Sequence, residues 1–435
     1  GVIHRDKTLS LVDGETLTVS GDYLLEGGDL DLRGGTLIVT GDLIHSGGQL
    51  RVSGGRLEVQ GDYRLQKDSN GDGNWDAQSD GHIEMTQSID YILVEGDFVM
   101  DSTKGHSSSN HAFDPGDLRE GTLEVRGHFT QMSTNDGNGY AQLNFRPDEN
   151  HRVLLSGSMV QDVTFEDPSN SNFNILEFDN PVDINLHQGI NAYSWIGKND
   201  TVTVDDPLLI EHRSFNPVLG ITHNLAGVIH RSRTLSLLDG ETLTVSGDYL
   251  LEGGNLYLRG GTLIVTGDLI HSGGQLRVLG GRLEVQGDYR LQKDSNGDGN
   301  WDAQSDGHIE MTQASDYILV EGDFVMDSAK GHSSSTHSSD PGDLSEGTLE
   351  VRGHFTQMSS IDGSGWAQQN FRPYENHRVL LSGTATQEVM FEDAGLSAFN
   401  NLDLASGSVE FFNLVPRSLL SANGNVLSGV DGIVF

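Results

Sequence analysis

The sequence predicts an all-β fold: a three-sided, right-handed parallel β-helix of about 20 residues per coil, in two tandem copies. Three observations carry this. Leu17-Thr18-Val19, Leu37-Ile38-Val39 and Leu57-Glu58-Val59 recur every 20 residues, each followed by one polar residue and then Gly-Asp. Tyr23, Leu43 and Tyr63 share that spacing, and so do Leu30 and Leu50, which follow Gly27-Gly28 and Gly47-Gly48. The steps Leu17 to Tyr23 to Leu30 to Leu37 are 6, 7 and 7 residues, which sum to 20. Each step is one short strand plus one turn.

A strand buries every second side chain, so Leu17 and Val19 point inward while Thr16 and Thr18 point outward. Glycine supplies the corners between faces. One coil cannot bury its own apolar row, so coils must stack, and Leu17, Leu37 and Leu57 form an internal ladder at roughly 4.8 Å per coil. A meander of antiparallel hairpins is the rival fold, but it would not require a constant sum.

A longer period overlies the first. Gly1-Val2-Ile3-His4-Arg5 returns as Gly227 to Arg231, an offset of 226 that also relates Trp75 to Trp301, Phe145 to Phe371 and Phe173-Asn174 to Phe399-Asn400. The domains are therefore read as 1–226, copy one with a connector, and 227–435, copy two. Within copy one the coil pattern continues at Ile92 to Phe98, at Leu123 to Phe129 with His128 in place of the corner Asp, and at Val153 to Gly157. Two stretches are inserted, Asp68 to Gly81 and about Ser102 to Glu120. From Phe173 to Ala226 the rhythm loosens into irregular coils, with Val182, Ile184 and Leu186 still alternating. No segment carries a sustained helical period.

Composition agrees with this architecture. Glycine supplies 56 of 435 residues, as frequent corners require. The absence of cysteine excludes disulfides and thiolate metal sites. No apolar run is long enough to span a bilayer, and no signal peptide is present, although a mature secreted chain would have lost one. A net charge of −38 argues against nucleic acid as a partner and favours cations.

The sharpest chemical motif is Asp68-Ser69-Asn70-Gly71-Asp72-Gly73-Asn74-Trp75-Asp76, repeated at Asp294 to Asp302. It sets oxygen side chains at loop positions 1, 3, 5 and 9, with glycine at position 6, as a calcium site needs. The loop resembles those of EF-hands and dockerin-type modules, but position 12 is Ser79 and no helices flank it. The expected Ca2+ ligands are Asp68, Asn70, Asp72, Asn74 through its carbonyl, Asp76 and Asp80. In copy two they are Asp294, Asn296, Asp298, Asn300, Asp302 and Asp306. The alternative is a metal-free surface turn.

Other residues carry less. His106, His111, His332 and His337 could ligate a metal, but their setting reads as solvated loop. Asp22, Asp42, Asp62 and Asp97 should stack along one corner, as a cation ladder, an acid row, or caps on backbone N–H groups of their own turns; capping is favoured. Tyr23, Tyr63, Phe98 and Phe129 read as core, and 136–139 and 362–365 as tight turns.

Segments such as Gly35 to Leu43, Gly61 to Gln66, Gly121 to Gln131 and Asn150 to Gly157 resemble a β-solenoid repeat of large bacterial cell-surface and secreted proteins. The resemblance implies an extracellular structural or adhesive role. The reading is a non-enzymatic, calcium-stabilised surface protein that assembles head to tail with copies of itself into a fibre or layer. The alternative is a polysaccharide-binding or polysaccharide-lyase-type β-helix, with cell-surface polysaccharide as partner. Lyase chemistry needs a base near the metal, and only Arg64 and Lys67, with Arg290 and Lys293, lie near the loops.

Overall fold

The computed structural model describes residues 1–106, 116–134, 141–179, 184–187, 192–197, 201–204, 207–211, 215, 217, 222–332, 342–360, 367–405, 408–412, 419–421 and 426–429. By internal contacts the chain forms two compact units, 1–206 and 207–435. Leu208–Ile210 belongs with the second because it pairs in parallel with Val228–His230, so packing divides the chain 20 residues before Gly227.

In unit one the strands stack on three faces. The first face runs Thr16–Val19, Thr36–Val39, Arg56–Val59, Tyr91–Val94, Thr122–Val125, Arg152–Leu155, Phe173–Phe178 and Ala192–Gly197. The second begins with Val2–His4, Tyr23–Leu25, Leu43–His45 and Tyr63–Lys67 and continues to Ile184–His187. The third holds Thr8–Ser10, Asp29–Asp31, Gln49–Arg51, His82–Met85 and Asp117–Leu118. The ladders are parallel. Among the described residues, antiparallel pairing is confined to two small hairpins and the bridges Val12–Gly34 and Leu238–Gly260.

Leu37 lies between Leu17 and Leu57 and is fully buried, as is Val39 two residues on. Each such leucine contributes about 1.5–3 kcal/mol by leaving water. The ladder step is 20 residues as far as Leu57, then 35 to Ile92, 31 to Leu123, 30 to Val153 and 23 to Leu176. Coil length changes but register does not, because a one-residue slip would turn every leucine outward. Tyr23, Leu43, Tyr63, Phe98 and Phe129 are all fully buried on the second face.

Among the described residues the third face ends at Asp117–Leu118. Beyond it Phe145 and Phe173 pack on Phe129, with ring centroids 5.0 and 4.9 Å away, and Phe165 lies 5.0 Å from Phe173. Unit two repeats this cluster with Phe355, Phe371, Phe391 and Phe399. No α-helix occurs among the described residues; Ala141–Leu143 and Ala367–Gln369 are single 3-10 turns.

Two of the corner glycines, Gly41 and Gly61, are there for space. A Cβ on Gly41 would sit 2.2 Å from Asp22 Oδ1, and one on Gly61 would sit 2.1 Å from Asp42 Oδ1.

Candidate functional site

The Asp68 loop is the tip of a hairpin that leaves the second face. Tyr63–Lys67 runs past the corner, and Ala77–Gln78 returns antiparallel to Gln66 and Lys67. Asp68 organises the tip. Its Oδ1 accepts the N–H of Gly71 at 2.7 Å, Asp72 at 3.2 Å and Asn70 at 3.3 Å, and its Oδ2 accepts Gly73 N–H at 2.7 Å. Gly71 and Gly73 hold φ of 77° and 88°, the left-handed region that glycine enters without steric cost. Asp72 accepts Asn74 N–H at 2.8 Å and the Asn70 amide at 3.1 Å. Asp76 accepts both the N–H and the hydroxyl of Ser69 at 2.9 Å.

The Gly73 N–H holds the Asp68 carboxyl below the usual range, and Ser69 does the same for Asp76. Asp294 and Asp302 repeat both effects.

The structure brings Asp68, Asn70, Asp72, Asn74 and Asp76 into one exposed turn, with Asp294 to Asp302 alike. Their oxygens face N–H donors, and among the described residues no three His, Asp or Glu side chains converge as a metal-ligand set. Asp80 is held apart. Its carboxylate is ion-paired to Lys67 and accepts the Thr103 hydroxyl at 3.0 Å; Asp306 is likewise taken by Lys293. Partial burial pushes Asp80 up, and the Lys67 and Thr103 hydrogen bonds more than offset it.

His106 and His332 correct the sequence reading: both are fully buried, not solvated. His106 Nε2 accepts Ile83 N–H at 3.0 Å, and Nδ1 lies 3.1 Å from the Lys104 carbonyl. Burial pushes both histidines down to about 3, so both are neutral. His111, His337, the turns 136–139 and 362–365 and the tail 430–435 lie outside the described residues.

The corner aspartates cap backbone N–H groups, but of the next coil rather than their own turn. Asp42 Oδ1 accepts Asp62 N–H at 2.8 Å, Asp62 accepts Asp97 N–H at 2.8 Å, and Asp97 accepts His128 N–H at 2.8 Å. His128 continues the row, its Nδ1 accepting Asp162 N–H at 2.9 Å.

Sequence reasoning missed the buried histidine–tyrosine pairs. His4 meets the Tyr23 hydroxyl at 2.8 Å and His45 meets Tyr63 at 3.0 Å, and His230–Tyr249 and His271–Tyr289 repeat them. His45 sits two residues after inward Leu43, so alternation places it inside.

The comparison with protein families bears on these same coils. Residues 2–72 and 199–298 match the haemagglutinin repeat. That repeat is typical of large bacterial secreted and cell-surface proteins built of β-helix coils. Both matched segments take in opening coils of a unit and reach into the Asp68 and Asp294 loops. No curated protein and no solved structure matches the chain. Among the described residues no helix is long and apolar enough to cross a membrane.

Proposed function

We propose that the chain is an extracellular structural and adhesive β-solenoid of a bacterial surface protein, without a catalytic role. The match of its opening coils to the haemagglutinin repeat carries this reading. The internal ladders of each unit support it, since each stacks its strands into sheet faces rather than around a single enclosed site.

Two finer statements belong to the proposal. Calcium binds the Asp68–Asp76 and Asp294–Asp302 turns, with Asp80 and Asp306 staying with their lysines. The ion would offset part of the −38 charge. Copies also associate head to tail, coil edge pairing with coil edge as parallel strands can.

The test is a glycan- and cell-binding assay on the full chain beside electron microscopy, with calcium and with chelator. Binding without any change to the bound sugar, together with linear particles, supports the reading. A strictly monomeric chain that binds neither cells nor glycans contradicts it.

A second reading, polysaccharide binding, draws on one feature. Arg56, Tyr91, Thr122 and Arg152 stand in register on the outside of the first face, along a groove of about 450 Å³. The Arg56 guanidinium lies 4.2 Å from the Tyr91 ring centroid, and Arg282 over Tyr317 repeats the pair at 4.3 Å. Aromatic faces and guanidinium groups suit acidic sugars.

A further inference from the structure

Residues 21–87 and 247–313 are identical except at Asp29/Asn255, Asp31/Tyr257 and Ser53/Leu279. All three positions lie on the third face or at the corner that leaves it. Leu30 and Leu256, which stand between the first two pairs, are fully buried, so alternation turns Asp29, Asp31, Asn255 and Tyr257 outward. Over this stretch the copies share one core and differ on one outer surface.

The change frees a cation. In unit one the Asp31 carboxylate accepts the Arg33 Nε–H at 2.6 Å. In unit two Tyr257 stands in its place, half-buried, and the exposed Arg259 has no acid partner among the described residues. Its guanidinium lies 5.3 Å from the Tyr257 ring centroid, and that of Arg277, one coil on, lies 5.5 Å away. Arg277 keeps the acid that Arg51 has, pairing with Glu310 at 2.8 Å as Arg51 pairs with Glu84 at 3.1 Å. A second acid is lost at Asn255. Around His82, Asp29 opposes the charges of Arg51 and Lys104; around His308, Arg277 and Lys330 act without it.

The surface that results is flat and closed to strand pairing. Asn255–Tyr257 is paired on one side with Thr234–Ser236 and on the other with Gln275–Arg277, so a peptide finds no open edge there. Asn255 and Gln275 stand in register, as do Tyr257 and Arg277, about 4.8 Å apart, near the length of one sugar ring. Leu279 follows at the corner with φ of 51°, a left-handed position that bulky residues rarely take.

We propose that the third face of unit two binds an acidic polysaccharide chain through Asn255, Tyr257, Arg259, Gln275 and Arg277, and that unit one does not. Arg259 and Arg277 take the anionic group, the Tyr257 ring takes an apolar sugar face, and the two amides meet hydroxyls. This deepens the polysaccharide reading and rests on it, but it places the ligand on a different face from the Arg56 groove. In that groove Arg56 and Arg152 are each already paired, with Glu58 and Glu177.

The test is isothermal titration of the full chain, without added calcium, against polygalacturonate, dextran sulfate and uncharged dextran. Binding of a charged polymer but not of dextran supports the proposal, and the tighter of the two charged polymers names the anionic group. Asn255→Asp with Tyr257→Asp restores residues that the same coil already carries in unit one, so the fold is kept; affinity should fall by about tenfold or more. The reverse exchange, Asp29→Asn with Asp31→Tyr, should add a second site and raise the stoichiometry. Unchanged affinity in the first variant, or dextran bound as tightly as the charged polymers, overturns the proposal. Arg56→Ala with Arg282→Ala reads the groove separately. Loss of binding there, with full binding in the third-face variant, overturns this inference and leaves the polysaccharide reading standing. A parent chain that binds neither charged polymer overturns both.

Discussion

The Asp22 carboxylate accepts the backbone N–H of Asp42, one coil further along, at 3.0 Å. The bond recurs from Asp42 to Asp62, and in unit two from Asp248 to Asp268 and Asp268 to Asp288. A side chain of one coil thus satisfies a donor that the corner takes out of the ladder, and glycine must precede each Asp to let that carboxylate in. Asp42→Ala would leave Asp62 N–H without its partner and cost about 1 kcal/mol. Gly61→Ala, forcing a Cβ onto that carboxylate, should cost more. Because both changes meet at one atom, their combined loss should fall short of the sum. Urea denaturation of the two single variants and the double variant checks this, and strict additivity would break the link.

Leu37 tests the core. Leu37→Asp buries a charge between Leu17 and Leu57 and should cost several kcal/mol. A thermal melt reads the loss; a melting temperature equal to that of the parent would mean the 20-residue register is wrong.

Acid should weaken the fold sharply. Burial pushes His45, His106, His271 and His332 down to about 3, and His82, His151, His230, His308 and His377 to about 4. An unfolded histidine takes up its proton near 6.5, so below that pH the unfolded chain binds more protons than the folded one. The stability contributed by these groups is therefore fully present above about pH 6.5 and is lost as pH falls toward 4 and then 3. The slope is up to about 1.4 kcal/mol per pH unit for each histidine. Urea midpoints at pH 7 and pH 5 should differ clearly, with pH 5 lower. Equal midpoints would mean the histidines are not buried neutral.

The repeat made most of the fold readable. Leu17, Leu37 and Leu57 define the register, and stacking follows because a coil with one apolar row has nothing else to bury it against. What escaped were facts about the third dimension. Spacing shows that Asp22 and Asp42 share a corner, but not that one caps the next. His106 lies in a polar insertion, so composition suggested solvent; the chain instead returns it to the third face beside Ile83. The loop at Asp68 to Asp76 was legible from its side chains. The diversion of Asp80 to Lys67 was not, because it depends on where the hairpin re-enters the coil.

Calcium should order the loops and leave the coils alone. Trp75 and Trp301, each 38 % exposed within the turns, can sensitise terbium luminescence, and calcium should compete the signal away. Asp68→Ala together with Asp294→Ala should abolish it. Chelator should raise protease cutting near Gly71 and Gly297 while circular dichroism of the sheets stays constant. Identical cutting with and without calcium would remove the metal from the account.

Retention without turnover on a cell surface tests the central claim most directly. Fluorescently labelled full chain is incubated with intact cells, and bound protein and soluble sugar released are measured together. The account predicts saturable binding with no new reducing ends or unsaturated sugars in the supernatant. Release of sugar fragments in proportion to time and protein, or no binding at any concentration, would contradict it.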